Sequence, residues 1–175
     1  MQARAVEQAA VNGAARAVVH MTLSINPTLD LRAVRGRGWR VVRRYHVMDR
    51  PLSVSADQPV TPPPGVTLRP CLTEADRRRA HLLVEGAGDA AVVRTHNDRS
   101  SMAWVGHLGV LREARGRGLG SFLLRHAFGH YAALGRQRIG LGVDTGNSSG
   151  ALALYERHGM TLDFAADTWE LVRCV

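Results

Sequence analysis

Leu108-Gly109-Val110-Leu111-Arg112-Glu113-Ala114-Arg115-Gly116-Arg117-Gly118-Leu119-Gly120 joins an apolar run to a glycine-rich turn and then to the strongest helical pattern in the chain. Met102 to Leu111 reads as a strand. Leu119, Phe122, Leu123, Ala127, Tyr131 and Leu134 recur at three- and four-residue spacing and predict a helix over 119–134, stopped by Gly135. A glycine-rich turn at the start of a helix aims several backbone N–H groups into one small volume, and the helix dipole adds partial positive charge there. Glycine lets the main chain approach a phosphate that a side chain would fend off, and Arg115 and Arg117 add full charges. Residues 115–120 therefore read as an anion site. A P-loop is excluded, because it needs a lysine and the chain contains none. A dinucleotide fold would place GxGxxG directly after its first strand, whereas here the spacing is RxxGxG in mid-chain.

Outward toward the C-terminus, Ile139–Val143 predicts a strand, Gly150–His158 a short helix ended by Gly159, and Thr161–Phe164 and Thr168–Arg173 two final strands. Toward the N-terminus, Ala90–Thr95 predicts a strand that joins Met102 through the turn-rich residues His96–Ser101. Val66–Arg69 reads as a short strand, and Thr73-Glu74-Ala75-Asp76 opens a helix through about Glu85 in the manner of a capping box. Pro51–Gly65 contains Pro62-Pro63-Pro64, which cannot lie in a helix or central strand, and reads as a linker. Before it come a helix over 2–17, a strand over Val18–Leu23, a short helix over Asp30–Arg35 and a strand over Trp39–Met48.

The 175 residues suffice for one well-buried domain, or one domain and part of another. A composition 45% apolar and 22% charged is that of a soluble globular protein, and no apolar run approaches the roughly 18 residues that span a bilayer. Arg4, Glu7 and Arg16 interrupt the Ala-rich start, so it lacks the core of a secretory signal. Cys71 and Cys174 lack CxxC spacing and fit free thiols in a reducing, cytoplasmic setting. The net charge of +8 rests on arginine alone. Such a surface could draw nucleic acid, but an arginine-rich, Ala/Gly-rich composition is as readily a matter of coding bias, so nucleic acid is not the expected partner. His126 and His130 lie one helical turn apart, yet no third ligand accompanies them, and no metal is expected.

Residues 108–120, together with Val143-Asp144-Thr145-Gly146-Asn147 and Leu154-Tyr155-Glu156-Arg157-His158-Gly159-Met160, resemble the two cofactor motifs of GNAT N-acetyltransferases. The likeness is closest over Trp104–Met160, and among subtypes the chain is most similar to tandem-domain actinobacterial proteins of the mycothiol-synthase type. The resemblance implies an α/β (α+β) fold: a mixed, mostly antiparallel sheet with splayed central strands and flanking helices. It implies acetyl-CoA as co-substrate, no metal, and a small-molecule amine or peptide as acceptor. Leu108, Gly109 and Val110 would pair through their backbone with the pantetheine arm, and Arg115, Gly116, Arg117, Gly118, Leu119, Gly120 and Ser121 would hold the pyrophosphate. Asn147 would bond the pantetheine region where the central strands part. Tyr155 would stand near the sulfur as the acid toward the departing thiolate. A phenol near pKa 10 lies above a thiol near 8.5, so hydrogen-bond stabilisation of the thiolate is as plausible as full proton transfer.

A general base is harder to find. The positions where the family commonly carries one hold Trp104 and Gly106, and His107 is expected on the opposite side of the sheet because side chains alternate along a strand. Shifting the chain by 121 positions sets Asn26 on Asn147, Leu31 on Leu152 and Gly38 on Gly159, with Val34 opposite Tyr155. Residues 1–52 are accordingly expected to be the C-terminal part of a first GNAT-like domain, 53–65 a linker, and 66–175 the acetyltransferase domain. Only one strand, one helix and one strand are expected between Gly65 and Trp104, fewer elements than the family usually has, so turnover could be impaired. A non-catalytic acyl-CoA-binding module is the alternative reading.

Overall fold

The computed structural model describes residues 2–70, 82–85, 89–97 and 102–175. In chain order the elements are α1 (Gln2–Val11), β1 (Arg16–Ser24), α2 (Leu31–Gly36), β2 (Arg40–Pro51), β3 (Thr67–Pro70), β4 (Leu82–Glu85), β5 (Asp89–Asn97), β6 (Met102–Val110), α3 (Leu119–Ala133), β7 (Arg138–Asp144), α4 (Ala151–Arg157) and β8 (Thr161–Cys174). They fall into two units, Met1–Val47 with Val143–Ser148 and Leu162–Val175, and Met48–Gly142 with Ser149–Thr161.

In the first unit β1 and β8 pair antiparallel along their length, from Arg16↔Cys174 to Ser24↔Ala166, and the strand order is β1-β8-β2-β7. Burial along β1 alternates over its first half, with Ala17 and Val19 buried, and α1 lies against this strand. Gly13, at φ 68°, turns the chain out of α1 into β1. Asp30 caps α2 by accepting from the Arg32 N–H at 2.9 Å, and Arg35 of α2 stacks over the Trp169 ring at 5.3 Å. Asp167, buried on β8, receives a two-pronged bond from Arg44 at 2.7 and 2.9 Å, which holds its carboxyl below the usual carboxylate range.

In the second unit the order is β2-β7-β6-β5-β4-β3, with β6 and β7 parallel and the pairs from β3 to β6 antiparallel. Helix α3 packs on one face of β5 and β6. Its Leu119, Leu123, Leu124, Ala127, Phe128 and Tyr131 are buried, as are Val93, Ala103, Val105, Ile139 and Leu141 of the strands. Tyr131 donates to Thr95 Oγ1 at 3.0 Å, which identifies the face of β5 that α3 covers. Residues 53–58 also fold against α3: a Cβ on Gly129 would meet the Asp57 and Gln58 carbonyls at 3.3 and 3.2 Å. Asp57 is buried there, paired with Arg50 at 3.1 Å and accepting from the Ser53 N–H at 3.0 Å.

The sheet is mixed and mostly antiparallel with flanking helices, as expected. Four expectations change. The expected helix over 2–17 ends at Val11, and Arg16 and Ala17 already belong to β1. The expected helix from Thr73 lies largely outside the described residues, but it does not reach Glu85, because Leu82–Glu85 is strand β4 and pairs with both β3 and β5. Among the described residues three strands, β3, β4 and β5, therefore lie between Gly65 and β6. His96 and Asn97 extend β5 instead of opening the turn, and the two expected C-terminal strands are one continuous strand, β8. Across the expected break at 165–167, β1 supplies backbone partners: Leu23 and Ser24 pair with Asp167 and Ala166, and the Ile25 N–H donates to the Ala165 carbonyl at 3.0 Å.

Candidate active site

β6 loses one neighbour halfway along its length. It pairs with β7 from Met102↔Arg138 to Val105↔Leu141 and no further, although β6 continues to Val110 and remains paired with β5 as far as Ala91↔Val110. Residues 106–110 thus have no ladder partner on the β7 side. An interior strand with one free edge can take up an extended, hydrogen-bonding chain as if it were a further strand. The parting coincides with a bulge: Thr95 pairs with Val105 and Arg94 with His107, so Gly106 is the extra residue.

The bulge overturns the expected orientation of His107. Val105 and Thr95 face α3, and strict alternation would return His107 to that face. Because Gly106 is inserted, His107 stands opposite Arg94, on the far face with His96 and Trp104. His96 Nδ1 and Cε1 each lie 3.4 Å from where a Cβ on Gly106 would be, and His107 Nε2 lies 3.3 Å from the corresponding point on Gly109. Trp104 and Met102 cover Gly140 of β7, where a Cβ would collide with both side chains. The face opposite α3 therefore carries an apolar floor with two imidazoles beside it.

Beyond Val110, a single 3-10 turn over Arg112–Ala114, anchored by buried Ala114, leads into the glycine turn. Gly116 and Gly118 have φ of 77° and 75°, a region that L side chains rarely adopt, and a Cβ on either would meet nothing within 4 Å. These glycines answer to backbone conformation and to open space. The helical ladder of α3 begins with the Phe122 N–H donating to the Gly118 carbonyl at 2.9 Å, so the amides of Leu119, Gly120 and Ser121 precede it and point out of the helix start. Leu119 is buried and pins the turn from below, whereas Arg117 is exposed. Arg115 folds back, its Nε donating to the Val110 carbonyl at 3.3 Å, which ties the turn to the end of β6. Gly120 admits α4: its missing Cβ leaves room for Leu154 at 3.4 Å and Val110 at 3.6 Å.

On α4, Tyr155 is buried, and burial pushes its phenol above the ordinary tyrosine value. Ser121 Oγ and His158 Nε2 are 2.6 Å apart. Burial, with the charges of Arg125, Arg157 and Arg50, holds His158 below the usual histidine value, and which partner of this contact donates is set by the imidazole tautomer. Asn147 lies in the first unit, in a turn after β7 where its N–H donates to the Asp144 carbonyl at 3.1 Å. Leu108–Val110, Arg115–Ser121 and Tyr155 all belong to the second unit. Among the described residues no group of three His, Cys, Asp or Glu side chains is placed to hold a metal, and no helix is long and apolar enough to cross a membrane.

The sequence profile of the acetyltransferase (GNAT) family matches residues 68–160, a span that contains the parted strand, the glycine turn and α4. The chain belongs to the GNAT acetyltransferase family. Members of this acyltransferase family generally draw on acetyl-CoA. The GNAT fold recurs in solved structures. A GCN5-related N-acetyltransferase from Sphaerobacter thermophilus is 25% identical, with a TM-score of 0.74 over 94% of this chain and 64% of that one. A GCN5-related N-acetyltransferase from Kribbella flavida is 18% identical, with a TM-score of 0.63 over 94% of this chain and 71% of its own. A tandem GNAT protein from the clavulanic acid biosynthesis pathway is 16% identical, with a TM-score of 0.68, covering 98% of this chain and 68% of that one. The chain thus spans less than two thirds of the length of the Sphaerobacter protein. No curated protein sequence matches it.

Two features of this GNAT site escape a reading of the sequence. The Ser121–His158 contact joins residues 37 positions apart, and only the tight packing of α4 on Gly120 brings them together. The orientation of His107 depends on a one-residue bulge, whose only trace in the sequence is the isolated Gly106 within a strand pattern.

Proposed function

We propose that the chain transfers an acetyl group from acetyl-CoA to a primary amine of a small molecule or peptide by direct attack on the thioester. The observation that carries this is the continuity of the free edge of β6 at 106–110 with the open glycine turn and the amides that start α3. A ligand with an extended amide-bearing arm and a diphosphate at one end matches that sequence of features. Leu108, Gly109 and Val110 would pair with the pantetheine arm, with the Val110 carbonyl already engaged by Arg115. Gly116 to Ser121 would bond the pyrophosphate through the main chain, Arg117 would add charge, and Arg115 would brace the turn.

In the reaction the amine nitrogen bonds to the thioester carbonyl carbon, the carbon–sulfur bond breaks, and the sulfur leaves as thiolate. Tyr155 would face the sulfur. With its phenol raised further above a thiol near 8.5, the phenol stays protonated and donates a hydrogen bond to the thiolate more readily than it gives up the proton. We place the enzyme in the cytoplasm, in keeping with the free, exposed Cys174; Cys71 lies outside the described residues.

Residues 1–52 are, on this reading, a copy of the C-terminal half of the GNAT fold, joined by 53–65 to the acetyltransferase domain at 66–175, as in tandem GNAT proteins. A shift of 121 residues carries α1, β1, α2 and β2 onto α3, β7, α4 and β8, and Gly38, at φ 88°, onto Gly159, at φ 77°.

Titration with acetyl-CoA, followed by thiol release against a panel of amines, tests the function. Saturable binding with amine-dependent release supports it. Binding without release for any amine would mark a non-catalytic module, and absence of binding would refute both readings.

A further inference from the structure

The reaction needs a neutral amine, and the chain has no carboxylate or histidine at 104 or 106, where the family commonly places its base. We propose that His107 is the general base for the acceptor amine, delivered to the substrate face by the bulge at Gly106, with His96 as a second imidazole beside it. This rests on the function proposed above.

The geometry leads there in three steps. First, the bulge occurs where β7 leaves β6, so the residues that follow it border the free edge at 106–110. Second, His107 stands opposite Arg94 and leans along its own strand, its Nε2 3.3 Å from the Cβ point of Gly109, so the imidazole overlies the stretch that would hold the pantetheine arm. Third, His96 reaches from β5 over Gly106, and both histidines are exposed and within reach of an entering molecule. The charged and titratable groups facing His107 from the strand packed beside it are Arg94 and His96. Neither is a carboxylate that would tie the imidazole up.

An imidazole nitrogen of His107 takes one proton from the ammonium form of the acceptor, the freed nitrogen pair bonds to the thioester carbonyl carbon, and the thiolate departs with the electrons of the carbon–sulfur bond. A second amine proton, lost as the amide forms, passes to solvent.

Thiol release is measured from pH 5.5 to 9.5 for the wild type, His107→Gln and His96→Gln, with acetyl-CoA affinity determined for each. His107→Gln is expected to lower kcat/KM about 100-fold at pH 7, with the deficit closing as the pH rises past the pKa of the amine, while acetyl-CoA affinity is unchanged. His96→Gln is expected to lose less than 10-fold. If the wild type turns over and His107→Gln keeps its rate and profile, or if the large loss falls on His96→Gln, the assignment is overturned and the acetyltransferase reading stands. If the wild type neither binds acetyl-CoA nor releases thiol, that reading falls and takes the assignment with it.

Discussion

Replacing Gly118 with alanine separates what the glycine turn does for the fold from what it does for the ligand. Gly118 sits at φ 75°, where an L residue is disfavoured by about 1–2 kcal/mol, and a Cβ there touches nothing within 4 Å, so strain is the whole structural cost. For a chain of this size that corresponds to a fall in Tm of roughly 2–8 °C. The methyl group would enter the open space beside the amides of Leu119, Gly120 and Ser121. Losing one charge-assisted hydrogen bond to a phosphate costs about 1.5–3 kcal/mol, or roughly 10- to 150-fold in Kd. Gly65→Ala is the matched control: its φ is 72°, its Cβ point is equally open, and it lies in the proline-rich segment away from the turn. Differential scanning calorimetry and acetyl-CoA titration of both variants decide the matter. Similar Tm losses with weakened binding in Gly118→Ala alone support the phosphate cradle. Equal affinity in the two variants would refute it.

Three further outcomes follow from the same geometry. Tyr155→Phe should slow thiol release while sparing acetyl-CoA affinity, read from kcat and Kd. Because burial raises the phenol in the folded state, its contribution to stability is complete below the ordinary tyrosine pKa and is lost as pH rises through the higher folded value, so Tyr155→Phe should also flatten the alkaline limb of the Tm profile. His158 is depressed, so the opposite sign applies: its stabilisation is present above the ordinary histidine value and lost as pH falls through the folded one. His158→Gln should make Tm less sensitive to acid between pH 7 and 5, with His126, also depressed, leaving a residual slope. Gly140→Val should displace Trp104 and Met102 and cost about 1–3 kcal/mol, seen in urea denaturation together with altered tryptophan fluorescence.

Much of this architecture is legible from residue pattern alone, and the failures have physical reasons. The stripe from Leu119 to Tyr131 and the stops at Gly135 and Gly159 act locally, so helix positions follow from spacing. The glycine turn is legible too, because positive φ at 116 and 118 selects glycine directly. β4 is not, since Leu82–Glu85 has no alternation and is a strand only through its neighbours β3 and β5. The unity of β8 is hidden likewise: Asp167 suggests a break, while β1 pairs with it through Leu23 and Arg44 neutralises it. At the site, the glycine turn can be placed from the motif, but the facing of His107 cannot, because one inserted residue reverses the alternation on which any strand reading depends.

The central claim is that the main-chain amides where α3 begins grip a diphosphate, and amide chemical shifts recorded while coenzyme A is added test it most directly. The account predicts large, saturating shifts for Gly118, Leu119, Gly120 and Ser121 together with Leu108 and Gly109, while the β1–β8 pairs stay still. Unmoved signals at 118–121 under saturating ligand, or shifts confined to another part of the chain, would contradict it.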